Sequence, residues 1–132
     1  MAEQDNTHKQ SSLNFESFAC FWLDKNVDSN EQNRKAQIEL RTIINHLRTF
    51  SDMGQCESTI SRTSNEKVIL IVSGSFGKNL IPRLHNLQQL SACYVYCGDK
   101  AVHEKWTKDY FKVNVHLCHL LVQVFRLSFL LD

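Results

Sequence analysis

Hydrophobic residues in this chain gather in short, nearly unbroken runs, and polar stretches with helical spacing lie between them. FACFWL at 18–23 is apolar throughout and stops at Asp24-Lys25-Asn26. KVILIV at 67–72 sets four β-branched residues around Leu70 and stops at Ser73-Gly74. ACYVYC at 92–97 ends at Gly98-Asp99-Lys100. Short runs rich in β-branched and aromatic residues predict strands buried on both faces, as inside a parallel sheet. Two weaker strands are predicted, an edge strand at 49–51 and a half-buried one at 112–117, where Val113, Val115 and Leu117 alternate with polar residues.

The intervening stretches read as helices. From Glu31 onward, Leu40, Ile43, Ile44 and Leu47 follow Ala36 at offsets of 4, 7, 8 and 11, one helical stripe. Ser29 and Gln32 ahead of that stripe fit a capping box. Residues 52–64 predict a short helix carrying Cys56 and Ile60. Ser75-Phe76-Gly77-Lys78 predicts a turn, followed by a helix over 79–90 on Leu80, Leu84, Leu87 and Leu90, with Pro82 near its start. Residues 101–110 predict a helix with Val102, Trp106 and Tyr110 on one side.

Regular alternation of strand and helix implies parallel strands joined by crossovers, with helices on both faces. The predicted architecture is therefore a three-layer α/β fold. Its five-stranded, mostly parallel sheet takes the flavodoxin or receiver order 2-1-3-4-5. Residues 1–16 are mostly polar, with Leu13 and Phe15 late in the stretch, and predict a disordered leader, and 17–117 form the α/β domain. In the tail, 118–132, Leu120, Leu121, Val124, Leu127 and Leu131 lie near helical spacing. It reads as a helix covering the sheet, as a membrane-associated segment, or as the misjoined end of a truncated product. A membrane span needs about 20 apolar residues, and Asn114, His116, His119, Gln123 and Arg126 interrupt this one. Membrane association is therefore not expected.

The chain has 132 residues, enough for one domain with a real core. Fifteen Lys and Arg against 14 Asp and Glu, scattered along the chain, give no reason to expect nucleic acid as a partner. The five cysteines, Cys20, Cys56, Cys93, Cys97 and Cys118, include no C-x-x-C pair. Residues 1–10 lack the apolar core of a signal peptide, so reduced thiols in the cytoplasm are expected. Cys93 and Cys97 share a strand face but lie about 13 Å apart along it, too far for a disulfide.

In such a sheet, chemistry gathers where the carboxyl ends of strands one and three meet. That edge would hold Asp24, Ser73, Gly74 and Asp99. Asp24 is a candidate cation or proton site, or a turn residue capping nearby N–H groups. Ser73-Gly74-Ser75-Phe76-Gly77-Lys78 approaches a phosphate loop. It fails the pattern GxxxxGK[ST], because its glycines are three apart and Asn79 replaces the hydroxyl residue. Weak anion binding at the following helix start stays open. The histidines and cysteines lack zinc spacing, and no G-x-S-x-G or H-E-x-x-H occurs. No metal, cofactor or catalytic residue is expected.

The layout resembles the receiver fold of two-component signalling. That family carries an acidic pair after strand one, a phospho-accepting Asp after strand three, a Ser or Thr after strand four and a Lys after strand five. Here Asp24 is followed by Lys25, Ser73-Gly74 stands at the acceptor position, and Gly98-Asp99 and Cys118-His119 follow the later strands. The resemblance therefore does not imply phosphoryl acceptance. FWLD at 21–24, HLRTF at 46–50, KVILIVSG at 67–74, IPRLHNL at 81–87 and YVYCGDK at 94–100 resemble a more specific, uncharacterised amino-terminal domain. It occurs in large invertebrate proteins, often followed by tetratricopeptide repeats or an arginine-type ADP-ribosyltransferase domain. The likeness spans about 18–115. The transferase signature, R…S…E-x-E, is missing, and no E-x-E occurs in the chain.

The expected function is a non-catalytic, receiver-like interaction or regulatory module with a protein partner. The alternative is a small-ligand binder, for a nucleotide or anion, or a degenerate enzyme, using Asp24, Ser73, Gly74 and Asp99. The two differ in whether the carboxyl edge is filled or open.

Overall fold

A computed structural model describes residues 18–44 and 46–117. The leader and the tail 118–132 lie outside the described residues. Five strands alternate with four helices: β1 (Phe18–Leu23), α1 (Glu31–Arg41), β2 (Leu47–Phe50), α2 (Met53–Arg62), β3 (Lys67–Ser73), α3 (Gly74–Leu84), β4 (Leu90–Cys97), α4 (Lys100–Thr107) and β5 (Val113–Leu117). The sheet order is β2-β1-β3-β4-β5 and every pairing is parallel. The predicted order is the observed one.

β3 is the enclosed centre. It pairs along Val68–Val72 with β1 on one side and β4 on the other, and those five residues are buried. Alternation splits them between the faces. Val68, Leu70 and Val72 join Phe21, Leu23, Cys93 and Val95 on the face covered by α2, α3 and α4, through Cys56, Ile60, Leu80, Ile81, Leu84 and the partly buried Trp106. Ile69 and Ile71 join Cys20, Trp22 and Tyr96 on the face covered by α1 through Leu40. Arg83 on α3 makes a bidentate pair with Glu57 on α2, at 2.8 and 3.0 Å, and each group shifts the other's pKa toward its charged form. Burial pushes the thiols of Cys20, Cys56 and Cys93 up to about 12, so they remain protonated at neutral pH.

Several boundaries differ from the sequence expectation. The helical stripe from Ala36 does not continue to Leu47. α1 closes at Thr42, whose N–H bonds to Glu39 and Leu40 carbonyls, and Leu47 opens β2 opposite Cys20. Leu47 fits both patterns, and strand pairing decides it. The α1 cap is Asn30, accepting from the Asn33 N–H at 3.1 Å, rather than Ser29 with Gln32. Asp52 caps α2, accepting from the Gln55 N–H at 2.9 Å.

The largest correction is at 74–90. Ser75-Phe76-Gly77-Lys78 is no turn. α3 starts directly at Gly74, and Leu90 opens β4 instead of closing the helix. Gly77 packs inside α3 facing the sheet, where a Cβ would come within 3.2 Å of Val72 Cγ1. A glycine there serves close helix–sheet approach, which local turn statistics cannot distinguish from a bend. Pro82 consequently falls in the last turn of α3, not its first. In α4, Trp106 packs on the core and Val102 is exposed.

Candidate functional site at the carboxyl edge

Parallel registry brings the ends of β1, β3 and β4 together. Leu23 pairs with Val72 and Ser73 with Tyr96, so Asp24 follows β1 beside the place where β3 enters α3. Asp24 is buried, with 9% of its surface exposed, and its carboxylate is occupied by protein donors. Oδ1 accepts from the Asn26 N–H at 2.8 Å. Oδ2 accepts from Asn33 Nδ2 at 3.2 Å and from the Tyr96 hydroxyl. The Tyr96 oxygen accepts in turn from Trp22 Nε1 at 2.9 Å. A chain of hydrogen bonds thus runs from the α1-side core out to the carboxylate. The Asn26 bond is the turn-capping role expected of Asp24. The bonds from Asn33 and Tyr96 add long-range partners that use the remaining oxygen.

Ser73 is the residue before α3, and its side chain does not cap that helix. Gly74 lies under the imidazole of His103 on α4. A Cβ built on Gly74 would overlap His103 Cε1 and Nε2. His103 is held from its other side, because Nδ1 accepts from Trp106 Nε1 at 2.9 Å. The first turn of α3 is therefore roofed where an anion would approach it. Asp99 does not join Asp24. It is exposed and caps α4, with Oδ1 accepting from the Val102 N–H at 3.4 Å. Of the four expected site residues, Asp24, Ser73 and Gly74 sit together, and Asp99 is committed to its own helix.

Tyr96, Asn33, His103 and Trp22 were not singled out as site residues by the sequence. Tyr96 carried a usable signal, since it lies near the carboxyl end of a predicted strand; its alignment with Ser73 is a matter of strand register. His103 had none, because its place over Gly74 depends on how α4 packs.

Substituting Gly74 with alanine is expected to force His103 off the ring position and break its bond from Trp106. The expected loss is about 1–3 kcal/mol in urea unfolding. Adding His103→Ala should recover most of it. A His103→Ala background that leaves the Gly74→Ala cost intact would place the clash elsewhere.

On β5, His116 stacks on Tyr94 with ring centroids 5.9 Å apart. Its pKa is lowered from 6.5, first by burial and then by Lys100. A lowered histidine pKa means that the unfolded chain binds the proton more readily. This contribution to stability is complete above about pH 6.5 and is lost as the pH falls through the folded pKa. The urea midpoint should therefore drop between pH 7.5 and 5.5, and drop less in His116→Gln. Equal drops in both proteins would remove His116 as the cause.

A groove of about 480 Å³ lies at the opposite, amino-terminal edge, lined by residues of 61–67 and by Gln88 and Gln89. On its wall Gln89 Nε2 donates to the Ile60 and Ser61 carbonyls at 3.0 and 3.3 Å. Among the described residues, no group of His, Cys, Asp and Glu is placed to hold a metal ion. No helix among them is long and apolar enough to cross a membrane. No family model, curated protein or solved structure matches the chain.

Proposed function

We propose that this domain is a non-catalytic, receiver-like interaction or regulatory module that engages a protein partner. The observation that carries this reading is the Asp24 carboxylate, buried with both oxygens accepting bonds from Asn26, Asn33 and Tyr96. A hard divalent cation collects several oxygen ligands. To reach Asp24 it would have to displace donors already in place. The roof of His103 over Gly74 acts in the same direction against a phosphate at the start of α3. Both features support a fold that keeps the geometry of a signalling domain and fills the place where chemistry would occur. The resemblance at 18–115 to a domain of larger multidomain proteins agrees with a role in protein contacts.

Thermal unfolding of the chain with magnesium, ATP and NAD separates this reading from the small-ligand alternative. A ligand at 100 times its Kd stabilises by about 2.7 kcal/mol. No shift is expected with any of the three. A shift that disappears in Asp24→Asn or Gly74→Ala would overturn the proposal and establish the edge as a ligand site.

A further inference from the structure

The amino-terminal edge of the sheet presents an apolar ring to solvent. Phe111, between α4 and β5, has 86% of its surface exposed, more than Ile38 or Val102. Scattered apolar residues on a surface are ordinary, but this ring is held in place. It meets the imidazole of His85 edge-on at 4.9 Å. His85 is buried at the end of α3, edge-on to Tyr110 at 5.1 Å, and its Nε2 accepts from the Lys112 N–H at 3.4 Å. An aromatic side chain that is already fixed loses little conformational freedom when a partner covers it.

Two lysines stand beside this ring. Lys112 Nζ donates to the Leu87 carbonyl at 2.9 Å, and Lys67 Nζ donates to the Gln88 carbonyl at 3.4 Å. Successive carbonyls of one loop thus hold two ammonium groups, and neither group pairs with a carboxylate among the described residues. Each ammonium has three N–H donors and spends one here. Lys67 and Gln88 also line the amino-edge groove, where Ser64 and Asn65 add a hydroxyl and an amide. The loop from His85 to Gln88 therefore joins Phe111, both lysines and the groove into one strip. β5 and β3 are two strand spacings apart, about 10 Å, which three or four extended residues span.

Charge gives the strip its sign. Residues 62–67 and 108–112 carry four cationic side chains and two carboxylates. At the carboxyl edge, residues 24–30, 51–52 and 98–99 carry four carboxylates and one lysine. The cations of the amino edge are too few to track a nucleic-acid backbone. One exposed ring also lacks the broad apolar face that binds a bilayer surface.

We infer that this strip docks an acidic, extended segment of a partner protein. An apolar side chain of the segment covers Phe111, and carboxylates a few residues along it meet Lys112 and Lys67. The inference rests on the proposed interaction function and names its surface and the chemistry of its partner.

Selection of the full chain against a phage-displayed library of random twelve-residue peptides tests it. The enriched peptides should combine several Asp or Glu with an aromatic or large aliphatic residue. In fluorescence anisotropy, the tightest peptide should bind Phe111→Ser about tenfold more weakly and Lys67→Glu about fivefold more weakly than the wild type. Its counterpart with Asn and Gln in place of Asp and Glu should lose about tenfold, and binding should weaken as salt is raised. Both substituted side chains are exposed, so the variants should keep the wild-type Tm. The inference is overturned if no peptide is enriched or if the enriched peptides lack acidic residues. It is equally overturned if Phe111 and Lys67 bind phosphatidylserine vesicles or a single-stranded oligonucleotide more tightly than any peptide, or if the chain self-associates and Phe111→Ser abolishes that. Peptides that bind both variants as tightly as the wild type would also overturn it, yet leave the proposed interaction function standing. A thermal shift with magnesium, ATP or NAD that Asp24→Asn abolishes would instead remove that function.

Discussion

Replacing Trp22 with alanine is expected to remove about 3–5 kcal/mol of folding free energy, measured by urea unfolding. Trp22 is 1% exposed in the centre of the α1-side core, and its ring meets that of Tyr96 edge-on at 5.9 Å. Truncation opens a cavity next to a rigid sheet that cannot collapse into it. It also deletes the indole N–H that supports the Tyr96 oxygen. Trp22→Phe separates the two contributions. It keeps most of the apolar volume and loses the donor, so its cost should be about 1–2 kcal/mol. If both variants cost the same, the hydrogen bond and not the packing would set the stability of this face.

Leu70→Ala should cost about 4 kcal/mol, near the upper part of the range for a buried leucine. Leu70 is fully buried at the middle of β3 and is paired on both sides, with Phe21 and with Cys93. α3 packs over the same face through Leu80, Ile81 and Leu84. Neighbours held by two strands and a helix have little freedom to fill the vacated space. Ile38→Ala on the exposed side of α1 serves as the reference and should stay within about 0.5 kcal/mol. A Leu70→Ala cost near that reference would mean that KVILIV is not the enclosed central strand.

Much of the fold was legible because its strongest signals were runs that only a doubly covered parallel strand explains. FACFWL, KVILIV and ACYVYC sit at β1, β3 and β4, in the predicted order. The errors fall where one residue serves two patterns. Leu47 completes a helical stripe and also starts β2. Gly77 reads as a turn glycine but faces the sheet from inside α3. In both cases long-range packing overrode a local preference, which a window of neighbouring residues does not contain.

The site was legible by position but not by content. The rule that places chemistry at the carboxyl edge brought Asp24, Ser73 and Gly74 to one spot. Their partners came from distant segments. Tyr96 is 72 residues from Asp24 in the chain, and His103 reaches Gly74 from α4. Asp99 follows β4 and serves as the N-cap of the helix after it, a role that an Asp after a strand fills as readily as one in a site.

The bond between Tyr96 and Asp24 is what fills the edge, and a double-mutant cycle on Asp24→Asn and Tyr96→Phe measures it most directly. Coupling of about 1 kcal/mol or more between the two substitutions is expected, with the chain still folded in all four proteins. Additive effects, with the Asp24 carboxylate indifferent to the loss of the Tyr96 hydroxyl, would contradict a closed carboxyl edge.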